Sequence, residues 1–408
     1  MACCLACVLA LAPLFGCGTI IDMTPFEGAG TSPASPVPAS YFGLSTGDFV
    51  DLSPTLPFGT TRSWDAHQLD WSDANPAPGV YNFSALDSFI QFSQQHNSEI
   101  IYTFGRTPRW ASSEPNAATP YGPGQCAPPV SIASWDNYVR AIVTHAAGQI
   151  KYWELWNEPQ DSQFYCGDIP TMIVMAQHAN QIIKSIDPSA QILSPATVGS
   201  GGPAWLNSFL AGGGSQFIDV IAFHGYQTGT AEDIVSTIAG YNAVMKANHA
   251  GNKQLWDTEA SWAQCDNQGT QRMDQKVAFI PKYYLLQWSQ GVPRFVWYAY
   301  DGGTWGGLET NGVESPAATS FKQTFSWLVG ASLARPCSED KAGTWSCALA
   351  RPNNYAGLVL WNSANTVSFA VPAQYTQYRD LAGAVHPLDA RTITITSQPV
   401  LLETGPIQ

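Results

Sequence analysis

Eight short apolar runs constrain this chain more than any other feature. They fall at 41–45, 59–64, 99–104, 150–156, 191–195, 217–223, 253–258 and 294–300. Between most of them, apolar residues recur at helical spacing, over 83–96, 132–147, 172–186, 231–248, 274–290 and 317–329. Strand alternating with helix implies a parallel sheet, because parallel strands need a crossover connection. Eight such units over about 290 residues predict a (β/α)8 TIM barrel spanning 41–330. A doubly wound open sheet is the alternative, disfavoured because no glycine-rich phosphate loop follows the first run.

Beyond residue 331 the texture changes. Runs at 344–350, 355–361, 366–371 and 391–397 are β-branched or aromatic and are separated by Pro, Gly and Asn. A small C-terminal β-sandwich over 331–408 is expected, with a structural or a sugar-binding role. At the other end, residues 2–15 are apolar but too short to span a bilayer, and they lead into Leu14-Phe15-Gly16-Cys17. Residues 1–17 thus read as a signal peptide whose end resembles the lipobox of bacterial lipoproteins. The resemblance implies lipidation of Cys17 and a cell-envelope protein, with plain secretion as the alternative. Residues 18–40, rich in Gly, Ser and Pro, read as a disordered tether. The membrane is met only through this anchor, and a monomer is expected.

Of nine cysteines, five remain beyond Cys17. In an exported chain these should pair, leaving one free. Cys337 with Cys347 would clip a hairpin. Cys126 with Cys166 would join successive loops and leave Cys265, with Cys166–Cys265 as the other arrangement. No spacing suits a metal site.

Charged residues make up only 12% of the chain while Trp, Tyr and Phe also reach 12%. That surface suits an uncharged, hydroxyl-rich ligand able to stack on aromatic rings. The net charge of −13 excludes nucleic acid, whose phosphates would be repelled.

In parallel α/β sheets ligands bind at the carboxyl ends of the strands. The fourth run continues into Asn157-Glu158-Pro159, where Pro159 has no N–H to give a sheet. The seventh ends in Asp257-Thr258-Glu259. Glu158 and Glu259 would face each other across the barrel mouth, and paired carboxylates about 5–5.5 Å apart suit a retaining glycosidase. One must hold its proton and the other must stay ionised.

Trp-Asn-Glu-Pro followed about 100 residues later by a strand-end Thr-Glu resembles clan A of the glycoside hydrolases. Thr107-Pro108-Arg109-Trp110-Ala111-Ser112 and Ile186-Asp187-Pro188 are similar to family 39 within it. The resemblance covers roughly residues 41–330. It implies Glu158 as acid/base, Glu259 as nucleophile and Asn157 as partner of the sugar's 2-hydroxyl. It also implies that Arg62 contacts the nucleophile, that His224 lines the sugar subsite, that Tyr226 bonds the nucleophile, and that Trp297 is the aromatic floor, with Tyr298 and Tyr300 competing for that place. Trp64, Trp110, Trp262 and Trp305, in carboxyl-end loops, are further groove candidates. Glu154 and Asp257, lower on their strands, should point into the barrel and read as structural or as supports behind the reacting groups, and Glu309 and Glu314 as solvent-facing. No cofactor is expected and the partner is carbohydrate. The reading is a retaining hydrolase of β-linked saccharides; a barrel that binds sugar without cutting it is the alternative.

Overall fold

The computed structural model describes residues 35–52, 54–262, 272–303 and 305–407. Cys17, the signal segment, residues 18–34 and Cys265 lie outside the described residues. Eight parallel strands close into a barrel: Phe42–Leu44, Thr60–Arg62, Glu99–Thr103, Tyr152–Glu154, Gln191–Leu193, Val220–His224, Gln254–Ala260 and Phe295–Trp297. The eighth pairs with the first through Phe42–Phe295, Gly43–Val296 and Leu44–Trp297. Gly43 is required there, since a Cβ would stand 2.6 Å from Val296 Cγ2. All eight predicted runs are barrel strands.

Side chains alternate along the strands. Ile101, Leu193, Ala222, Trp256 and Val296 form one buried cluster, whereas Tyr102, Trp153 and Phe295 belong to the main core that includes the helices. The six predicted helices form as Ser84–Gln95, Ile132–His145, Ile169–Ile186, Ile234–Ala247, Met273–Ser289 and Pro316–Leu328. Their starts follow local chemistry. Asp168 accepts the Thr171 N–H at 2.8 Å and Pro170 occupies the first turn, where no donor is missed. Two further helices, the single turn Trp71–Ala74 and Gly202–Ala211, lie beyond the expected six; glycines flank the short apolar stretch of the second.

The tether is shorter than its composition suggests. Val37 is buried and donates its N–H to Ala331 O at 2.8 Å, so the fold begins before residue 40. At the far end, antiparallel sheets enclose a second core that includes Leu358, Leu360, Phe369, Ile395 and Leu402. Helix Met273–Ser289 lies beneath these sheets, which is why even Lys282 is buried. Its Nζ bonds Ser363 at 2.8 Å, while Trp361 Nε1 donates to Glu232 at 2.7 Å. Both expected disulfides are present, Cys126–Cys166 and Cys337–Cys347.

Candidate active site

The seventh strand continues to Ala260, with a register shift against the eighth strand between Asp257 and Ala260, and delivers Glu259 to the mouth, buried. Asp257, two residues lower, is fully buried but, because of that shift, points outward to helix Met273–Ser289 and not into the barrel. It accepts the Gly225 N–H at 3.0 Å and the Gln287 amide at 2.9 Å. A Cβ at Gly225 would stand 2.4 Å from Asp257 Oδ2, so only glycine lets the sixth strand end so close. This anchoring places His224 and Tyr226 on either side of Gly225. The Tyr226 O–H donates to Glu259 Oε1 at 2.9 Å, and Arg62 Nη1 donates to Oε2 at 2.6 Å.

Arg62 is fully buried and organises the floor. It also bonds Glu154, which in turn accepts the Thr103 hydroxyl at 2.9 Å, and it donates to Asn157 Oδ1 at 2.8 Å. Glu154 therefore serves the site by holding Arg62 in place.

The fourth strand behaves differently. Its ladder stops at Glu154 and resumes as one bridge, Asn157 with Ala196. Glu158 then turns into the left-handed region, φ 43°, with its N–H on Ala196 O at 2.8 Å. Its carboxyl is half-buried and meets His224 Nδ1 at 2.7 Å. Carboxylate oxygens of Glu158 and Glu259 lie within 4.8 Å of one another.

Burial raises Glu158 to about 7, more than the charge of Arg62 lowers it. Burial raises Glu259 too, with His224 and Arg62 acting against it. His224 is itself pushed by burial down to about 4, so it is neutral at neutral pH. Arg62 is then the permanent charge, and it touches Glu259 directly. The Tyr226 hydrogen bond further favours the ionised form. These contacts favour the ionised form of Glu259 over that of Glu158.

The predicted aromatic residues separate. Trp297 is 0% exposed, donates to Gly306 O at 2.9 Å and packs against Phe279 and Phe295, so no sugar can lie on it. The eighth strand alternates, and its next residue, Tyr298, faces the mouth half-buried, with its O–H on Asp65 at 2.9 Å. Trp262 is buried edge-on against Phe279. Trp64 is buried beneath Arg106. Trp110 is tied to Asn75 O at 2.9 Å and lines a groove of about 640 Å³ with Tyr81, Phe83 and Arg140, on the helical side of the barrel. Trp305 alone of the set is widely exposed, 55%, and its ring meets Tyr226 edge-on at 5.9 Å. Glu309 is buried and accepts the Gly312 N–H, and Glu314 is paired with Lys322 at 2.5 Å; neither simply faces solvent. Sequence reasoning passed over Asp65 and Arg106, whose signal was their place just past the second and third strands.

Glu158, His224 and Glu259 form the one group among the described residues with a metal-type donor set. Arg62 already places positive charge against Glu259, which opposes a second cation.

A family model described as the glycosyl hydrolase catalytic core matches residues 80–314. Among solved structures, a family 39 glycoside hydrolase from the gut symbiont Bacteroides cellulosilyticus WH2 is similar, with a TM-score of 0.71 at 18% identity, over 90% of this chain and 80% of that one. A family 39 β-xylosidase from Caulobacter crescentus gives 0.68 at 17%, over 93% and 99%. A family 30 endoxylanase from Clostridium papyrosolvens C71 gives 0.60 at 15%, over 92% and 97%. At these identities the likeness is one of fold.

Proposed function

The chain belongs to the glycosyl hydrolase catalytic-core family, and from that premise we propose that it cleaves β-linked poly- or oligosaccharides with retention of configuration. Glu158 protonates the leaving oxygen while Glu259 attacks the anomeric carbon, forming a glycosyl-enzyme. Glu158 then takes a proton from water, which attacks from the face the leaving group left and displaces Glu259 as carboxylate. Asn157 and His224 contact the reacting sugar, and Trp305 offers it an aromatic face at the rim.

The observation that carries this reading is the spacing of the two carboxylates, within 4.8 Å. An inverting enzyme needs about 6.5–9.5 Å to admit a water between them. The two disulfides support residence in an oxidising compartment, and Gly16-Cys17 supports attachment there through lipid. We assign the 331–408 sandwich a buttressing role, supported by the Lys282 and Trp361 contacts. Proton NMR of the first product from an aryl β-glycoside tests the mechanism: a β anomer is expected, and an α anomer would refute it.

A further inference from the structure

The barrel mouth carries a third carboxylate that this reaction does not use. Asp65 lies three residues past the second strand, with its side chain 28% exposed. It accepts the Tyr298 O–H at 2.9 Å on one oxygen and the guanidinium of Arg106 on the other. Arg106, three residues past the third strand, also binds Asp70 at 2.7 Å and lies over the rings of Trp64 and Tyr121. Asp65 and Arg106 share the left-handed backbone of Glu158, with φ of 61°, 59° and 43°. Among the described residues nine without glycine's freedom adopt positive φ, and these three are the ones that follow the carboxyl end of a barrel strand within four residues. Such conformations persist where the surroundings impose them, and they gather at ligand sites.

Asp65 also faces the reacting groups. Burial does most to raise Glu158, Glu259 and Tyr298, and the charge of Asp65 adds to all three. Among the described residues around it, no free cation balances this charge. Arg62 is engaged by Glu154, Glu259 and Asn157, and Arg106 by Asp65 and Asp70. Residues 263–271 contain no Lys or Arg.

We propose that this pocket takes a neutral pyranoside and rejects uronic acids, and that Asp65 sets the preference by accepting hydrogen bonds from sugar hydroxyls remote from the cleaved bond. Each of its oxygens keeps acceptor capacity beyond the bond it already makes. A uronate in the same place would put a further negative charge beside the carboxylates of Asp65 and Glu259 with no free guanidinium to meet it. The proposal rests on the hydrolase reading above.

The test compares 4-nitrophenyl β-glucoside, β-xyloside and their disaccharide homologues with 4-nitrophenyl β-glucuronide, on the wild type and Asp65→Asn. The wild type should disfavour the glucuronide at least about 100-fold in kcat/KM. Asp65→Asn should lose about ten- to a hundredfold on the neutral substrates, the effect of one hydrogen bond to a charged group. It should lose less or even gain on the glucuronide, so the preference narrows. Equal loss on both classes would mean that Asp65 acts only by holding Arg106, and glucuronide turnover equal to glucoside turnover would overturn the proposal outright. If Asp65→Asn does not fold, Tyr298→Phe serves, with a smaller shift in the same ratio expected and an unchanged ratio overturning it. If the wild type cleaves none of these glycosides, the hydrolase reading fails. The Asp65 proposal is then decided by equilibrium binding of the same compounds to the two proteins.

Discussion

The ends of the fourth and seventh strands present the same side chain to the same space, yet they are built in different ways. Glu259 stands inside a strand that continues past it through a shift of register, between a buried guanidinium and a phenol. Glu158 stands past the end of its ladder, in a left-handed turn, against a histidine that burial keeps neutral. Burial raises both carboxyls, so burial cannot be what distinguishes them. The neighbours do that. A fixed cation in contact stabilises one carboxylate, and its absence leaves the other the readier to hold a proton, as the proposed mechanism requires.

Removing the two carboxyls in turn gives the largest contrast. Glu259→Gln should lower kcat on the order of 10⁵–10⁶-fold on every substrate, because no covalent intermediate can form. Glu158→Gln should lose about 10²–10⁴-fold, with much of the loss recovered on aryl glycosides whose leaving group needs no proton. Steady-state kinetics with two leaving groups separates the cases, and equal losses would erase the distinction drawn between the two residues.

Arg62→Lys comes next. Lysine cannot replace a guanidinium that binds three acceptors. Breaking this buried network should cost about 3–5 kcal/mol of stability, read by denaturant unfolding. It should also move the acid limb of the kcat/KM profile upward, since Glu259 would then protonate more readily.

The pH profile sharpens the contrast without mutation. Glu158 must be protonated to act, and it is raised to about 7, so kcat/KM should fall as pH rises through about 7. The groups around it are His224, Arg62, Asp65, Asp161 and Glu259. His224→Asn should shift this limb, whereas Tyr226→Phe should act on the acid limb, through Glu259. The Tyr226 change should cost about tenfold in kcat, the smallest kinetic effect in the series. Identical limbs in both variants would contradict the separate environments.

Much of this candidate site is legible in the sequence. Arg62, Asn157, Glu158, His224, Tyr226 and Glu259 all sit at or just past the carboxyl ends of strands, and strand counting places those ends together. The pairing of Cys126 with Cys166 is legible for a similar reason, since loops after adjacent strands are neighbours. The aromatic residues are not. An indole is at home in a core and on a sugar alike, and nothing local distinguishes Trp297, sealed against Phe279, from Trp305 at the rim.

The chain alone therefore dictates the barrel, the order of its strands and the two carboxyls, because periodicity and strand position are local properties. Which side chains surround those carboxyls is a matter of packing. Asp65, Arg106 and Tyr298 come from the second, third and eighth strands, and their contact depends on how the closed barrel turns each strand end. The proposed division of labour between Glu158 and Glu259 rests on such contacts, since a carboxyl's proton affinity is set by what packs against it.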